Sequence, residues 1–313
     1  MSVDLKSRYL GLELANPIVA SASPLTGSVE SLKRLDDAGV GAVVLPSLFE
    51  EQIEHEEMAT HNLMLYGAEL SPEASSFFPE MQQYDTGADK YLKLIGEAKK
   101  ALAVPVIASL NGYTPGGWTR IAKQLEDAGA DAIELNVYFL AADPADTGAD
   151  VEQRYLDLVA SVRATAKIPV AVKVAPYFSA MASMAVRLAG AGASGLVLST
   201  SDELRLALRW IAILYGRVEA SLAATGGAHT AEDVVKVLLA GADCVMIASS
   251  LLRQGPRHVE TLVRGVQAWM SDRDYVSVTQ LKGSLSQRAC PDPDAFERAN
   301  YMKALKSYTS EFA

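Results

Sequence analysis

The 313-residue sequence predicts an α/β fold, a (β/α)8 TIM barrel with a C-terminal helical extension. Three observations carry this. A glycine-centred pattern recurs four times, helical periodicity precedes each copy, and a short β-rich run follows each at once. The first strand is Pro17 to Ser21. Leu32, Leu35 and Ala38 then recur at helical spacing, and Gly39 ends that helix, because glycine adopts the left-handed conformation freely. Val40-Gly41-Ala42-Val43-Val44-Leu45 is the second strand. Proline announces the third, Val104-Pro105-Val106-Ile107-Ala108. Trp118, Ile121, Leu125 and Ala128 lead to Gly129 and the strand Ala132-Ile133-Glu134-Leu135. Ile168-Pro169 opens the fifth strand, which runs to Val174. Met181, Met184 and Leu188 precede Gly192 and the run Gly195 to Leu198. Leu222 to Thr225 is the seventh strand; Val234, Val235 and Leu238 lead to Gly241 and the eighth, Cys244 to Ile247. Near-continuous apolar strands of this kind belong to a parallel sheet covered by helices, and eight such units in about 250 residues is barrel size. An open doubly wound sheet is the alternative. It calls for a glycine fingerprint after the first strand, and Ala20-Ser21-Ala22-Ser23-Pro24 is not one. With no linker or low-complexity tract, residues 1–313 read as one domain.

The chain has 28 basic and 38 acidic side chains, a net charge of −10. This balance argues against nucleic acid and anionic membranes as partners. Two cysteines, Cys244 and Cys290, are too few for a disulfide framework, so a cytoplasmic setting is expected. Met1 to Leu12 mixes Asp4, Lys6 and Arg8 with apolar residues and does not resemble a signal peptide. No stretch approaches the ~20 apolar residues of a membrane span.

In a barrel, chemistry gathers where the strands end. Thr225-Gly226-Gly227 follows strand seven, and its paired glycines let the backbone approach a ligand. Thr230 and Asp233 form a capping-box pattern at the next helix. Strand eight ends in Ser249-Ser250. Loops after strands seven and eight, beside helix N-termini, are this fold's usual phosphate cradle; the other reading is a turn and two caps. Lys173 lies within Val170-Ala171-Val172-Lys173-Val174-Ala175-Pro176, and alternation puts Ala171, Lys173 and Ala175 on the interior face. A lysine there meets an anion, a carbonyl oxygen or a ring gaining negative charge, unless it snorkels to solvent. Glu134 and Asn136 alternate likewise. Asn136 suits the edge of a heterocycle, and Glu134 is either a ligand contact or the buried partner of a lysine. The four histidines, His55, His61, His229 and His258, lack metal-ligand spacing, so no metal is expected. His229 reads as a turn residue or a phosphate contact.

Together, Asn16-Pro17, Glu134-Leu135-Asn136, Val172-Lys173-Val174-Ala175-Pro176-Tyr177-Phe178, Thr225-Gly226-Gly227 and the end of strand eight resemble the dihydroorotate dehydrogenase family, in its soluble class, from Leu5 to about Leu252. The resemblance implies FMN as cofactor and hydride transfer from dihydroorotate or a similar small molecule. It implies that Gly226, Gly227, Ser249 and Ser250 hold the FMN phosphate. Lys173 and Asn136 would face the isoalloxazine as the catalytic pair, with Ser21, Ala22, Ser23 and Ser47 lining its other side. A homodimer is the assembly it implies. Three departures stand out. The family's Cys or Ser base, three residues after the Asn of Glu-Leu-Asn, is Phe139 here, and neighbouring Tyr138 is a poor base. Pro46 stands where the family often has a lysine, and Glu73 to Glu80 replaces its asparagine-rich substrate loop. After strand six, Ser199-Thr200 runs almost directly into Asp202, where the family has a longer, asparagine-bearing segment. That segment is either deleted or missing from the 313 residues, and the second is the expectation, because deletion would uncover a bound cofactor. A relative with another substrate or without dihydroorotate turnover is therefore a rival. A flavin-free barrel using Lys173 as a Schiff-base nucleophile is another. The segment His55 to Lys90 reads as a lid or interface, and Tyr275 to Ala313 lies beyond the barrel.

Overall fold

The computed structural model describes residues 3–49, 87–112, 115–137, 141–200 and 204–306. Among the described residues, ten strands lie in two sheets. β1 (Ser7–Tyr9) and β2 (Leu12–Leu14) form an antiparallel hairpin. β3 (Ile18–Ala20), β4 (Ala42–Phe49), β5 (Val106–Gly112), β6 (Ala132–Val137), β7 (Val170–Val174), β8 (Gly195–Ser199), β9 (Ser221–Thr225) and β10 (Cys244–Ile247) form a closed parallel barrel, with β10 pairing β3. All eight predicted strands are present, and helices lie on the outside. The helices His258–Ser271, Val278–Leu281 and Pro293–Lys306 continue beyond the barrel. The helix Leu204–Leu214 lies between β8 and β9 in the chain, and those two strands are neighbours in the barrel. Among the described residues, no helix is long and apolar enough to cross a membrane.

Two apolar clusters hold the barrel. The larger lies between the outward strand faces and the helices. The smaller fills the interior with modest side chains, among them Ala42, Val44, Ile107, Ala132, Ala171, Ala223 and Cys244. Small residues suit this crowded axis, where side chains from alternate strands meet in layers. The hairpin closes its N-terminal end by burying Tyr9, Leu10 and Leu14 there. Its two-residue turn, Leu10 at φ 53° and Gly11 at φ 79°, matches the twist of the flanking strands.

The four recurring glycines, Gly39, Gly129, Gly192 and Gly241, all have positive φ and end helices as expected. Two residues after three of them, a polar side chain accepts the N–H of a residue at or next to the start of the preceding strand. Val106 N donates to Asp131 Oδ2 at 2.7 Å, Val170 N to Ser194 Oγ at 3.4 Å, and Leu222 N to Asp243 Oδ2 at 2.8 Å. The first copy has Gly41 at that position, and Asn16 takes over: Ile18 N donates to Asn16 Oδ1 at 3.0 Å and Asn16 Nδ2 to Gly39 O at 2.7 Å. Gly41 has no room for a side chain, since a Cβ would lie 2.1 Å from Asn16 O.

Proline in a strand interior removes a ladder donor and usually marks a bulge. β4 continues past Pro46 to Phe49, with a register shift between Val44 and Ser47. Tyr91, on the helix Gly87–Ala101, reaches this irregularity: Ser109 N donates to its hydroxyl at 2.8 Å, and the hydroxyl donates to Ser109 O at 3.2 Å.

Candidate active site at the barrel mouth

The C-terminal strand ends gather most of the residues singled out from the sequence. Parallel register sets Asn111, Asn136 and Lys173 side by side on β5, β6 and β7. One row deeper stand Ser47, Ser109, Glu134 and Ala171. Ser47 Oγ and Ser109 Oγ are hydrogen-bonded at 2.8 Å. Across β10, Ser21 Oγ and Thr225 Oγ1 approach to 3.5 Å, and both residues are buried.

Lys173 turns inward. Its side chain is 16% exposed, and Nζ lies 3.8 Å from Oε1 of Glu134, whose side chain is 1% exposed. Neither Glu134 oxygen has a hydrogen-bond partner among the described residues. Burial pushes the Glu134 carboxyl above the ordinary glutamate range, and the positive charge of Lys173 opposes the rise. Of the two roles open to Glu134, partner of a lysine is the one the geometry supports. Alternation holds through Lys173 but stops there, because β7 ends at Val174 and Ala175 is exposed, not interior as expected. Farther on, Phe178 packs edge-on against Tyr155 with ring centroids 5.2 Å apart.

At the β9–β10 side, Gly226 and Gly227 have φ of 97° and 74°, a backbone that L side chains rarely adopt. Thr225 pairs with Met246, so this turn borders Ile247 and the start of the helix Ser249–Gln254. Ser249 and Ser250 are the first two residues of that helix, whose N-cap is Ala248, so neither serine is the cap. The Ser250 hydroxyl is buried with no partner among the described residues, as is that of Thr200 beyond β8. Two glycine amides and an orphaned serine hydroxyl on adjacent strand ends are a donor set suited to a phosphate. Thr230 caps the following helix as expected: Asp233 N donates to Thr230 Oγ1 at 3.2 Å, and Thr230 N donates to Asp233 Oδ2 at 3.1 Å. His229 is held in this turn. Its N–H donates to Asp233 Oδ2 at 3.2 Å, and its carbonyl accepts from His258 Nε2 at 3.1 Å.

Ala22 and Ser23 leave β3 half-buried. Ser23 enters the turn Pro24–Thr26, with Thr26 Oγ1 donating to Ser23 O at 2.9 Å. A cleft of about 390 Å3 opens at the opposite end of the barrel, beside Tyr215, Asp243 and Lys282. It contains none of the mouth residues.

No family model matches the chain. It is similar to a putative dihydroorotate dehydrogenase A (fumarate) of Aeropyrum pernix, 26% identical over 307 residues, covering 90% of this chain and 97% of that protein. It is also similar to the catalytic subunit of dihydroorotate dehydrogenase B (NAD(+)) of Methanothermobacter thermautotrophicus, 25% identical over 311 residues, covering 89% and 97%. The chain thus resembles dihydroorotate dehydrogenases over about 90% of its length, at 22–26% identity. A subunit of NAD-dependent dihydropyrimidine dehydrogenase of Escherichia coli K12 is 23% identical over 346 aligned positions, covering 94% and 80%.

Tyr138 and Phe139, the histidines His55 and His61, nearly all of the long segment before Lys90, and Asp202 lie outside the described residues. Sequence reading missed Ser109, Asn111 and Thr200 as mouth residues. The signal for the first two was present, since alternation from Ile107 leads directly to Ser109 and Asn111 once β5 is extended to Gly112.

Proposed function

We propose that the chain is an FMN-dependent oxidoreductase acting on the CH–CH bond of a dihydropyrimidine, with dihydroorotate as reference substrate. The observation that carries this is the inward ammonium of Lys173 in the same mouth as the Gly226-Gly227 turn and the buried, unpartnered Ser250 hydroxyl. The similar proteins are named for dihydroorotate or dihydropyrimidine dehydrogenation.

In this role the Gly226 and Gly227 amides and the Ser249 and Ser250 hydroxyls hold the phosphate. Ser21, Ala22, Ser23 and Ser47 line one side of the ring system, and Asn136 orients the substrate's polar edge. Lys173 stabilises negative charge that develops on the ring. When bound, FMN supplies the acceptor for a hydride. The reaction also requires a base for a ring proton, and Phe139 cannot accept one. A missing base forfeits roughly 10²–10⁴-fold in rate. That residue favours a second reading, a flavin-binding relative with another substrate or without dihydroorotate turnover. We take residues 1–313 as one domain, working in the cytoplasm as a homodimer.

The test is an absorption spectrum of the purified protein, before and after anaerobic addition of dihydroorotate. Flavin bands that bleach support the main assignment, and bands that persist support the second. A colourless protein that takes up no added FMN refutes both. Phe139→Ser is expected to raise the reduction rate at least tenfold if only the base is lacking.

A further inference from the structure

Glu134 has no task in the function proposed above, yet it is buried at the heart of the mouth. Among the described residues its two oxygens accept no hydrogen bond, and its one charged neighbour is Lys173 Nζ at 3.8 Å. Such a carboxylate is costly unless paired and hydrogen-bonded, and here it is only paired. The other titratable groups that face it are Tyr9 on β1, Tyr91 on the helix Gly87–Ala101 and Cys244 on β10. Burial holds all three above their ordinary ranges, so each stays neutral around neutral pH. The charge of this layer is therefore set by Glu134 and Lys173.

We propose that Glu134 is a positioning residue that acts through Lys173 and binds one proton whenever negative charge settles on the Lys173 ammonium. With the mouth uncharged, the ammonium keeps the carboxylate ionised. An anion against Nζ cancels that stabilisation while the burial penalty remains, and the carboxylate becomes a carboxylic acid. For the redox reaction, which rests on the FMN reading, the balance is simple. FMN, when bound, would take up two electrons and one proton as hydride from the substrate, and Lys173 would face the negative charge so gained. A second proton, from solvent or the substrate's ring, ends on a Glu134 oxygen. The net charge of the mouth is the same before and after, so reduction does not trap an uncompensated charge.

Two experiments test this. The first needs no flavin. In protein labelled at the glutamate carboxyl carbon, the Glu134 signal is identified by its loss in Glu134→Gln. It should be that of a carboxylate at neutral pH in the native chain and that of a carboxylic acid in Lys173→Met. The same protonation state in both overturns the proposal, whether or not the chain binds FMN. The second is a spectroelectrochemical titration of the FMN-loaded protein between about pH 7 and 8. Each proton in a two-electron couple contributes about 30 mV per tenfold change in proton activity. The native potential should fall about 60 mV per pH unit, and that of Glu134→Gln about 30 mV. A native slope of about 30 mV overturns the proposal even if the variant fails to fold. Absence of FMN uptake would remove the oxidoreductase assignment and leave the carbon signal to decide Glu134.

Discussion

Replacing Lys173 with Met removes the ammonium while keeping most of the aliphatic stem, so the loss falls on Glu134. Left ionised and alone, a buried carboxylate costs about 3–5 kcal/mol. Protonation offers a second route. An unfolded glutamate titrates near 4.3, so holding it protonated at pH 7 costs 2.7 pH units at about 1.36 kcal/mol each, or about 3.7 kcal/mol. At pH 5 the same route costs about 1 kcal/mol. The sign follows from the direction of the shift. The folded Glu134 carboxyl is raised, so its share of stability is complete below the unfolded value and is lost as pH rises. Urea unfolding of native and Lys173→Met protein at pH 5, 6 and 7 should therefore give a difference that grows with pH, by up to about 1.4 kcal/mol per pH unit where the native carboxyl is already ionised. Adding Glu134→Gln to the variant should flatten it. A difference that is constant with pH would refute the reasoning, because the lost ammonium would then not be answered by a proton.

Gly226→Ala forces a side chain onto a backbone at φ 97°, and should destabilise by about 1–2 kcal/mol while weakening FMN retention, read by flavin fluorescence on dilution. Thr230→Ala removes the cap that receives Asp233 N, and should cost about 1 kcal/mol in thermal or urea melts. Although partial burial raises the Asp233 carboxyl, hydrogen bonds from Thr230 and His229 and a contact with Lys236 outweigh it and hold the group low. Its contribution is present above the ordinary aspartate range and is lost as pH falls, so the acid limb should shrink in Thr230→Ala. Gly41→Ala meets a backbone oxygen at 2.1 Å that cannot move aside. It should cost more than about 3 kcal/mol and appear as insoluble or protease-sensitive protein.

Much of the barrel was legible because a parallel strand buried on both faces must be apolar along its length, and because each helix exit needs a left-handed residue that glycine supplies. Lys173 stood out by the same logic, as a lone charge in such a run. The hairpin was not legible: its strands are three residues long, and Arg8 and Glu13 face outward. β4 was read as ending before Pro46, because proline breaks a ladder; a bulge and the Tyr91 hydroxyl carry the strand past it. The Glu134–Lys173 contact was legible only as one of two readings of Glu134. Alternation assigns each residue a face, but which side chains meet across adjacent strands depends on register, and register emerges only when all eight strands close.

The polar latches below the strands, Asp131, Ser194, Asp243 and Asn16, fasten the base of the barrel without help from the opposite rim. A scaffold anchored at one end can accept changes at the other. The rim, where Asn111, Asn136 and Lys173 stand, is where such changes leave that anchoring untouched. Chemistry at this rim is thus free to drift while the base keeps the same architecture.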